Sequence, residues 1–173
     1  MRTLVYGGAA SGKSEYAEAL ACAGRAPLYY IATMMPFSEE DRQRIERHRL
    51  MRAEKGFHTL ERYTNLKDLK ITEPGCILLE CLGNLTANEL FSETGAGEKA
   101  LEAILDGVFA LEAQCHDLVV VTNNVFGDGG KYTDGTLDYI LTLAEVNNVL
   151  AARFERVIEV VCGIPIVLKE PAK

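Results

Sequence analysis

Eight residues near the start of the chain constrain its fold more than anything else in it. Gly7-Gly8-Ala9-Ala10-Ser11-Gly12-Lys13-Ser14 fits G-x-x-x-x-G-K-[ST] at every fixed position. An apolar run, residues 3–6, precedes it, and an Ala/Glu-rich stretch, residues 14–22, follows it. The loop therefore joins a buried strand to a helix. In that setting glycines let backbone N–H groups turn inward around phosphate oxygens, and the helix points its positive end at the anion. Lys13 reaches the β- and γ-phosphates as a point charge, and the Ser14 hydroxyl suits Mg²⁺. All eight residues are assigned to a bound nucleoside triphosphate.

The rest of the chain extends this start into an α/β fold. Residues 28–32, 76–79, 118–122, 157–161 and 164–168 are short apolar runs without polar alternation, the signature of strands covered on both faces in a parallel sheet. Helical patterns fall between them at residues 14–22, 38–54, 98–115 and 137–153. Gly24 is expected to cap the first helix, and Ser38 with the acids after it to start the second. Residues 91–98 read as a surface loop, and 127–135 as a glycine-rich one. No composition shift marks a boundary, so residues 1–173 are expected to form one domain.

P-loop enzymes also need an acid at the end of a neighbouring strand to hold Mg²⁺. Glu80, closing the run 76–79, is the candidate; Asp117 precedes its strand and is the weaker one. The alternative for Glu80 is a charge that merely ends a strand.

Charge carries the next clue. Eighteen Lys and Arg against 25 Asp and Glu give a net charge of −7, which argues against a nucleic-acid partner. Yet Arg42, Arg44, Arg47, Arg49, Arg52 and Lys55 crowd into 14 positions with His48 at their centre. On a helix, Arg44, His48 and Arg52 share one face. Guanidiniums that neutralise phosphate oxygens beside a neutral imidazole suit nucleophilic attack on phosphorus. A solvated charged face with an incidental histidine fits the same pattern. His58 and His116 lack such surroundings and are expected to be structural or exposed.

Five cysteines (Cys22, Cys76, Cys81, Cys115 and Cys162) form no C-x-x-C pair and read as free thiols of a reducing cytoplasm. The first residues lack a signal-peptide pattern, and no apolar run spans a bilayer, so a soluble intracellular protein is expected.

Taken in order, the P-loop, Tyr30-Ile31-Ala32-Thr33 and Arg44-Ile45-Glu46-Arg47-His48-Arg49-Leu50-Met51-Arg52 resemble the bifunctional adenosylcobinamide kinase/adenosylcobinamide-phosphate guanylyltransferase family, which carries R-I-x-x-H-[RK]-x-x-R. The similarity continues through Thr59-Leu60-Glu61, Leu78-Leu79-Glu80-Cys81-Leu82, Asn88, Val121-Thr122-Asn123, Val146-Asn147 and Gly163-Ile164-Pro165. The resemblance implies a RecA-like P-loop fold, GTP and ATP as substrates, Mg²⁺ as cofactor and a homo-oligomer, a trimer first. It implies phosphorylation of the hydroxyl on the aminopropanol arm of adenosylcobinamide. It also implies transfer of GMP from GTP to that phosphate through a guanylylated histidine, here His48. Catalytic roles fall to His48 and Lys13, and further nucleotide contacts to Arg44, Arg49, Arg52, Glu61 and Glu80, with Ser14 and Glu80 toward the metal.

There are departures. Asn124 stands where the family has Glu, Phe126 where it has Gly, and Phe57 where it has Trp; the helix from residue 137 lacks the family's R-x-F-R-D-x-x-G. Loss of that Glu bears on the kinase half. Two other readings stay open: a P-loop kinase of another small alcohol, and a GTP-binding module without turnover.

Overall fold

The computed structural model describes residues 1–36, 39–125 and 133–171; for residues 40, 41, 44, 47, 48, 51 and 53 it describes the backbone alone. The strands are β1 (Arg2–Gly7), β2 (Leu28–Ala32), β3 (Phe57–Glu61), β4 (Cys76–Glu80), β5 (Asp117–Asn123), β6 (Arg156–Val161) and β7 (Ile164–Lys169). The helices are α1 (Lys13–Cys22), α2 (Glu39–Glu54), α3 (Leu82–Phe91), α4 (Ala100–Glu112) and α5 (Asp134–Arg153). The strands form one sheet in the order β3-β2-β4-β5-β1-β6-β7, parallel except for the β6–β7 pair. This is the P-loop architecture expected from the sequence.

Successive strand residues face opposite sides of the sheet, so unbroken apolar runs must be covered twice. Leu4, Ile31, Ile77, Leu79, Leu118 and Val120 pack against Leu82 and Leu85 of α3, Ile104 and Val108 of α4, and Val146 and Leu150 of α5. Val5, Tyr30, Leu78, Val119, Val121 and Ile158 form the other layer with Ala17 and Ala21 of α1. The small α1 side chains let that helix lie close to the sheet, which fixes the loop preceding it.

The structure departs from the sequence reading in four places. The run 164–168 is not a doubly covered parallel strand: β7 is an antiparallel edge strand exposed along its whole length. It follows β6 through a two-residue turn, Cys162 (φ 51°) and Gly163 (φ 78°), the double positive φ that tight hairpins favour. Gly24 is not the left-handed cap of α1, which ends on Ala23 in right-handed conformation. Glycine is required at 24 because a Cβ there would lie 2.7 Å from the Cys76 sulfur. The stretch 98–115 begins as a 3₁₀ turn, Gly97–Lys99, and is α-helical only from Ala100 to Glu112. Helix α3 was not anticipated; with Gly, two Asn and Thr in ten residues its intrinsic helix preference is weak, and burial of Leu82, Leu85 and Thr86 stabilises it. Ser38 and residues 127–132 lie outside the described residues. Among the described residues no helix is long and apolar enough to cross a membrane.

Candidate nucleotide site

Parallel strands deliver their carboxyl ends to one edge of the sheet, where α/β folds bind ligands. Gly7 pairs with Asn123 there, and Ala32 with both Glu61 and Glu80. The loop after β1 curls over this edge. Gly12 has φ +89°, and a Cβ on it would approach Gly163 Cα to 3.1 Å. The Gly163 N–H donates to the Ser11 carbonyl at 2.7 Å, so the β6–β7 turn clasps the loop from outside. Gly7 is equally confined: a Cβ would lie 2.6 Å from Ser11 Oγ and 2.7 Å from the Val160 carbonyl oxygen. Lys13 Nζ folds back to donate to the Gly8 carbonyl at 3.1 Å. Gly12 offers no side-chain cap, which leaves the first N–H groups of α1 for an anion.

Glu80 lies on the same edge. Its Oε2 is buried without a hydrogen-bond partner among the described residues. A lone carboxylate oxygen beside a phosphate loop fits a hard cation bound by one or two protein oxygens, its remaining ligands coming from phosphates and water. Among the described residues no cluster of three or more His, Cys, Asp or Glu competes for a metal. Cys81, next in the chain, has its thiol pushed up by burial; N–H groups of Asn84 and Gly83, the Glu80 charge and the opposing Lys13 charge all act on it. One buried sulfur thus senses both Lys13 and Glu80.

Tyr30 extends the cluster toward α2. Burial, then the Glu80 carboxylate, push its hydroxyl well above the ordinary tyrosine range, against the pull of Arg52. The Arg52 guanidinium lies over the Tyr30 ring, 3.7 Å from its centroid, and Arg52 is only 6% exposed. One turn on, Lys55 pairs with Glu18 of α1 at 2.5 Å.

A buried polar network holds the loops that follow β2, β3 and β4. Thr33 Oγ1 donates to the Cys81 carbonyl and accepts the Cys81 N–H, each at 2.8 Å. Asn88 Nδ2 donates to the carbonyls of Thr33 (2.8 Å) and Tyr63 (3.0 Å). The Glu89 carboxylate accepts the N–H groups of Asn65 (2.6 Å) and Ala96 (3.0 Å). Beside this floor opens a polar cavity of about 360 Å³, bordered by Met35, Glu61, Tyr63 and Asn65. The exposed Glu61 accepts the Tyr63 hydroxyl at 2.8 Å on Oε2.

The structure therefore brings the residues from Gly7 to Ser14 together with Glu80, and sets Glu61 two strands away, about 10 Å along the sheet edge. His48 and Arg44 lie within α2, their side chains outside the described atoms. Arg49 is exposed and 3.5 Å from Glu46, whereas Arg52 is turned onto Tyr30. Asn124 is exposed at the end of β5, its N–H donating to the Gly7 carbonyl at 2.9 Å. His58 and His116 are exposed, His58 beside the Tyr29 ring. The five cysteines are free thiols. Reasoning from the residues alone missed the supporting roles of Tyr30, Thr33, Glu89 and Gly163. A tyrosine within an apolar strand or a threonine just after it is a faint signal; the double positive φ at 162–163 leaves only its glycine as a trace.

Comparison with known proteins identifies the family and the fold. The family described as "Cobinamide kinase / cobinamide phosphate guanyltransferase" matches residues 3–168. Two curated relatives carry the name bifunctional adenosylcobalamin biosynthesis protein CobU. The Escherichia coli (strain K12) protein is 34% identical over 98% of this chain and 100% of its own length; the Salmonella typhimurium protein is 33% identical with the same coverage. CobP of Pseudomonas aeruginosa is 31% identical over 98% of each chain. Among solved structures, the flagellar accessory protein FlaH from Methanocaldococcus jannaschii superposes with a TM-score of 0.52 at 11% identity, covering 98% of this chain and 78% of that one; this likeness is one of fold. With a family match across nearly its whole length and a phosphate loop set beside a buried carboxylate, this chain belongs to the cobinamide kinase/cobinamide phosphate guanylyltransferase family of cobalamin biosynthesis enzymes.

Proposed function

We propose that one triphosphate seat serves both reactions of the family in this chain, with His48 as the guanylyl carrier. The observation that carries this reading is the placement of the P-loop and Glu80 on one sheet edge, with α2, the helix that bears His48, following β2 and packing back on it through Arg52, beside the strand that ends in Glu80. In the kinase step the hydroxyl oxygen of the adenosylcobinamide side arm attacks the γ-phosphorus of ATP or GTP. The bond to the β,γ-bridging oxygen breaks, the nucleoside diphosphate leaves, and the hydroxyl proton is lost to solvent. In the second reaction an imidazole nitrogen of His48 attacks the α-phosphorus of GTP and pyrophosphate departs. The phosphate oxygen of adenosylcobinamide phosphate then displaces the histidine, giving adenosylcobinamide-GDP and free His48. Two displacements at phosphorus replace one difficult transfer.

Lys13 would exchange its bond to the Gly8 carbonyl for phosphate oxygens, and the N–H groups at the start of α1 would face the same charge; such neutralisation is most of phosphoryl-transfer catalysis. Ser14 and Glu80 are the residues that would hold Mg²⁺, whose chemistry here is to neutralise charge on the phosphates. Glu61, beside the polar cavity, keeps one carboxylate oxygen outside its bond to Tyr63, enough to accept from a base edge. Arg44 and Arg49 are assigned to phosphate contacts. Asn124 keeps hydrogen-bonding capacity but no charge, so the kinase half is expected to be the slower.

We place the protein in the cytoplasm as a homo-oligomer, a trimer first. Ile164, Ile166, Val167 and Leu168, all exposed on β7, support self-association. A monomer in light scattering would refute it.

The chemical test follows the corrinoid. With GTP and adenosylcobinamide, the wild-type protein should yield adenosylcobinamide-GDP, His48→Ala should stop at adenosylcobinamide phosphate, and Lys13→Ala should yield neither. Continued formation of adenosylcobinamide-GDP by His48→Ala would sink the histidine assignment.

A further inference from the structure

The Arg52 guanidinium is buried, yet among the described residues it has no carboxylate within 4.0 Å, and its Nε lacks a hydrogen-bond partner. A buried cation without a counter-charge must be compensated by something else. The compensating group here is the face of Tyr30, 3.7 Å from the guanidinium carbon. That ring is itself held: Tyr30 is 6% exposed within β2 and meets Phe57 of β3 edge-on, 6.2 Å between centroids at 80°. The other described tie at this end of α2, Lys55 to Glu18, leaves Lys55 about half exposed, where ion pairs contribute little. Among the described side chains of α2, the stack of Arg52 on Tyr30 is the buried contact that ties the helix to β2.

His48 precedes Arg52 by four residues in the same helix, about 6 Å along the axis. Over one turn a helix is stiff, so a shift at Arg52 is passed to His48.

We propose that Tyr30 is a positioning residue for guanylyl transfer: by seating Arg52 it sets the station of α2 from which His48 attacks. The proposal rests on the reading of His48 as the guanylyl carrier. It assigns Arg52 to anchoring in the nucleotide-free protein. It also predicts a split between the two activities, since γ-phosphoryl transfer relies on the P-loop and not on His48.

The test measures both halves in one set of proteins. Single-turnover covalent labelling with GTP carrying label at the α-phosphate reports guanylylation; γ-phosphate transfer to adenosylcobinamide reports the kinase. Tyr30→Leu should slow labelling by about 10- to 100-fold, the range a displacement near 1 Å produces, while the kinase rate changes less than about threefold. Tyr30→Phe, which keeps the ring and loses the hydroxyl, should restore labelling. Equal loss of both activities, or undiminished labelling in Tyr30→Leu, overturns the proposal. If Tyr30→Leu fails to fold, Tyr30→Met removes the ring with less loss of volume and must show the same split. Absence of label in the wild-type protein would remove the histidine reading itself, and this proposal with it.

Discussion

Lys13, Gly12 and Glu80 could be proposed from the sequence because each belongs to a pattern close to it in the chain. The motif names the lysine and the glycine, which the structure gives a left-handed φ, and Glu80 ends an apolar strand, where an acid can face a phosphate-bound metal or merely end the strand. Arg52 could not be assigned so. On a helical wheel it is one basic residue among six; only the packing of α2 on β2 turns it onto Tyr30. The cysteines give a test at this scale. Burial pushes the Cys76 thiol up to about 12 and, countered by Arg2 and the N-terminal ammonium, the Cys115 thiol to about 11; Cys22 and Cys162 are exposed. A raised thiol stays protonated until pH rises through its folded value. At pH 8 only about 1 in 10⁴ molecules holds Cys76 as thiolate. A thiol-specific reagent at pH 8 should therefore modify two cysteines promptly and the remaining three slowly or only after denaturation. Prompt reaction of Cys76 in the native protein would contradict the packing described around it.

At the scale of elements, strands covered on both faces were legible because unbroken apolar runs of five residues suit little else. That rule failed at β7, where the same kind of run forms an exposed edge. Apolar content cannot tell a central strand from an edge, because the difference lies in what the rest of the chain leaves uncovered. Helix α3 was illegible for the opposite reason: weak local preference is overridden by tertiary burial. Its Asn88 ties the loops after β2 and β3, so its removal should be felt beyond α3. Asn88→Ala leaves the carbonyls of Thr33 and Tyr63 without their donor. The expected cost is about 1–3 kcal/mol, read as a lower urea midpoint, with weaker nucleotide binding. Asn88→Ala with unchanged stability and unchanged nucleotide affinity would show that the network is not what holds the loops.

For the whole molecule, the net charge of −7 conceals a division of labour. Acidic side chains dominate the total, while six of the 18 basic residues are concentrated within and just beyond one helix. Long-range repulsion of polyanions and local attraction of a triphosphate are compatible on that arrangement, since surface fields are screened within about 8 Å at physiological salt. The sequence carried this contrast; the fold adds that the basic helix is seated through Tyr30 on the strand next to the one ending in Glu80. The central claim, that His48 carries GMP between GTP and the corrinoid phosphate, is tested most directly by trapping the intermediate. Protein incubated with Mg²⁺ and GTP labelled at the α-phosphate should retain covalent label after denaturation, stable to alkali, lost in acid and absent from His48→Ala. No label on the wild-type protein, or equal label on His48→Ala, would contradict the account.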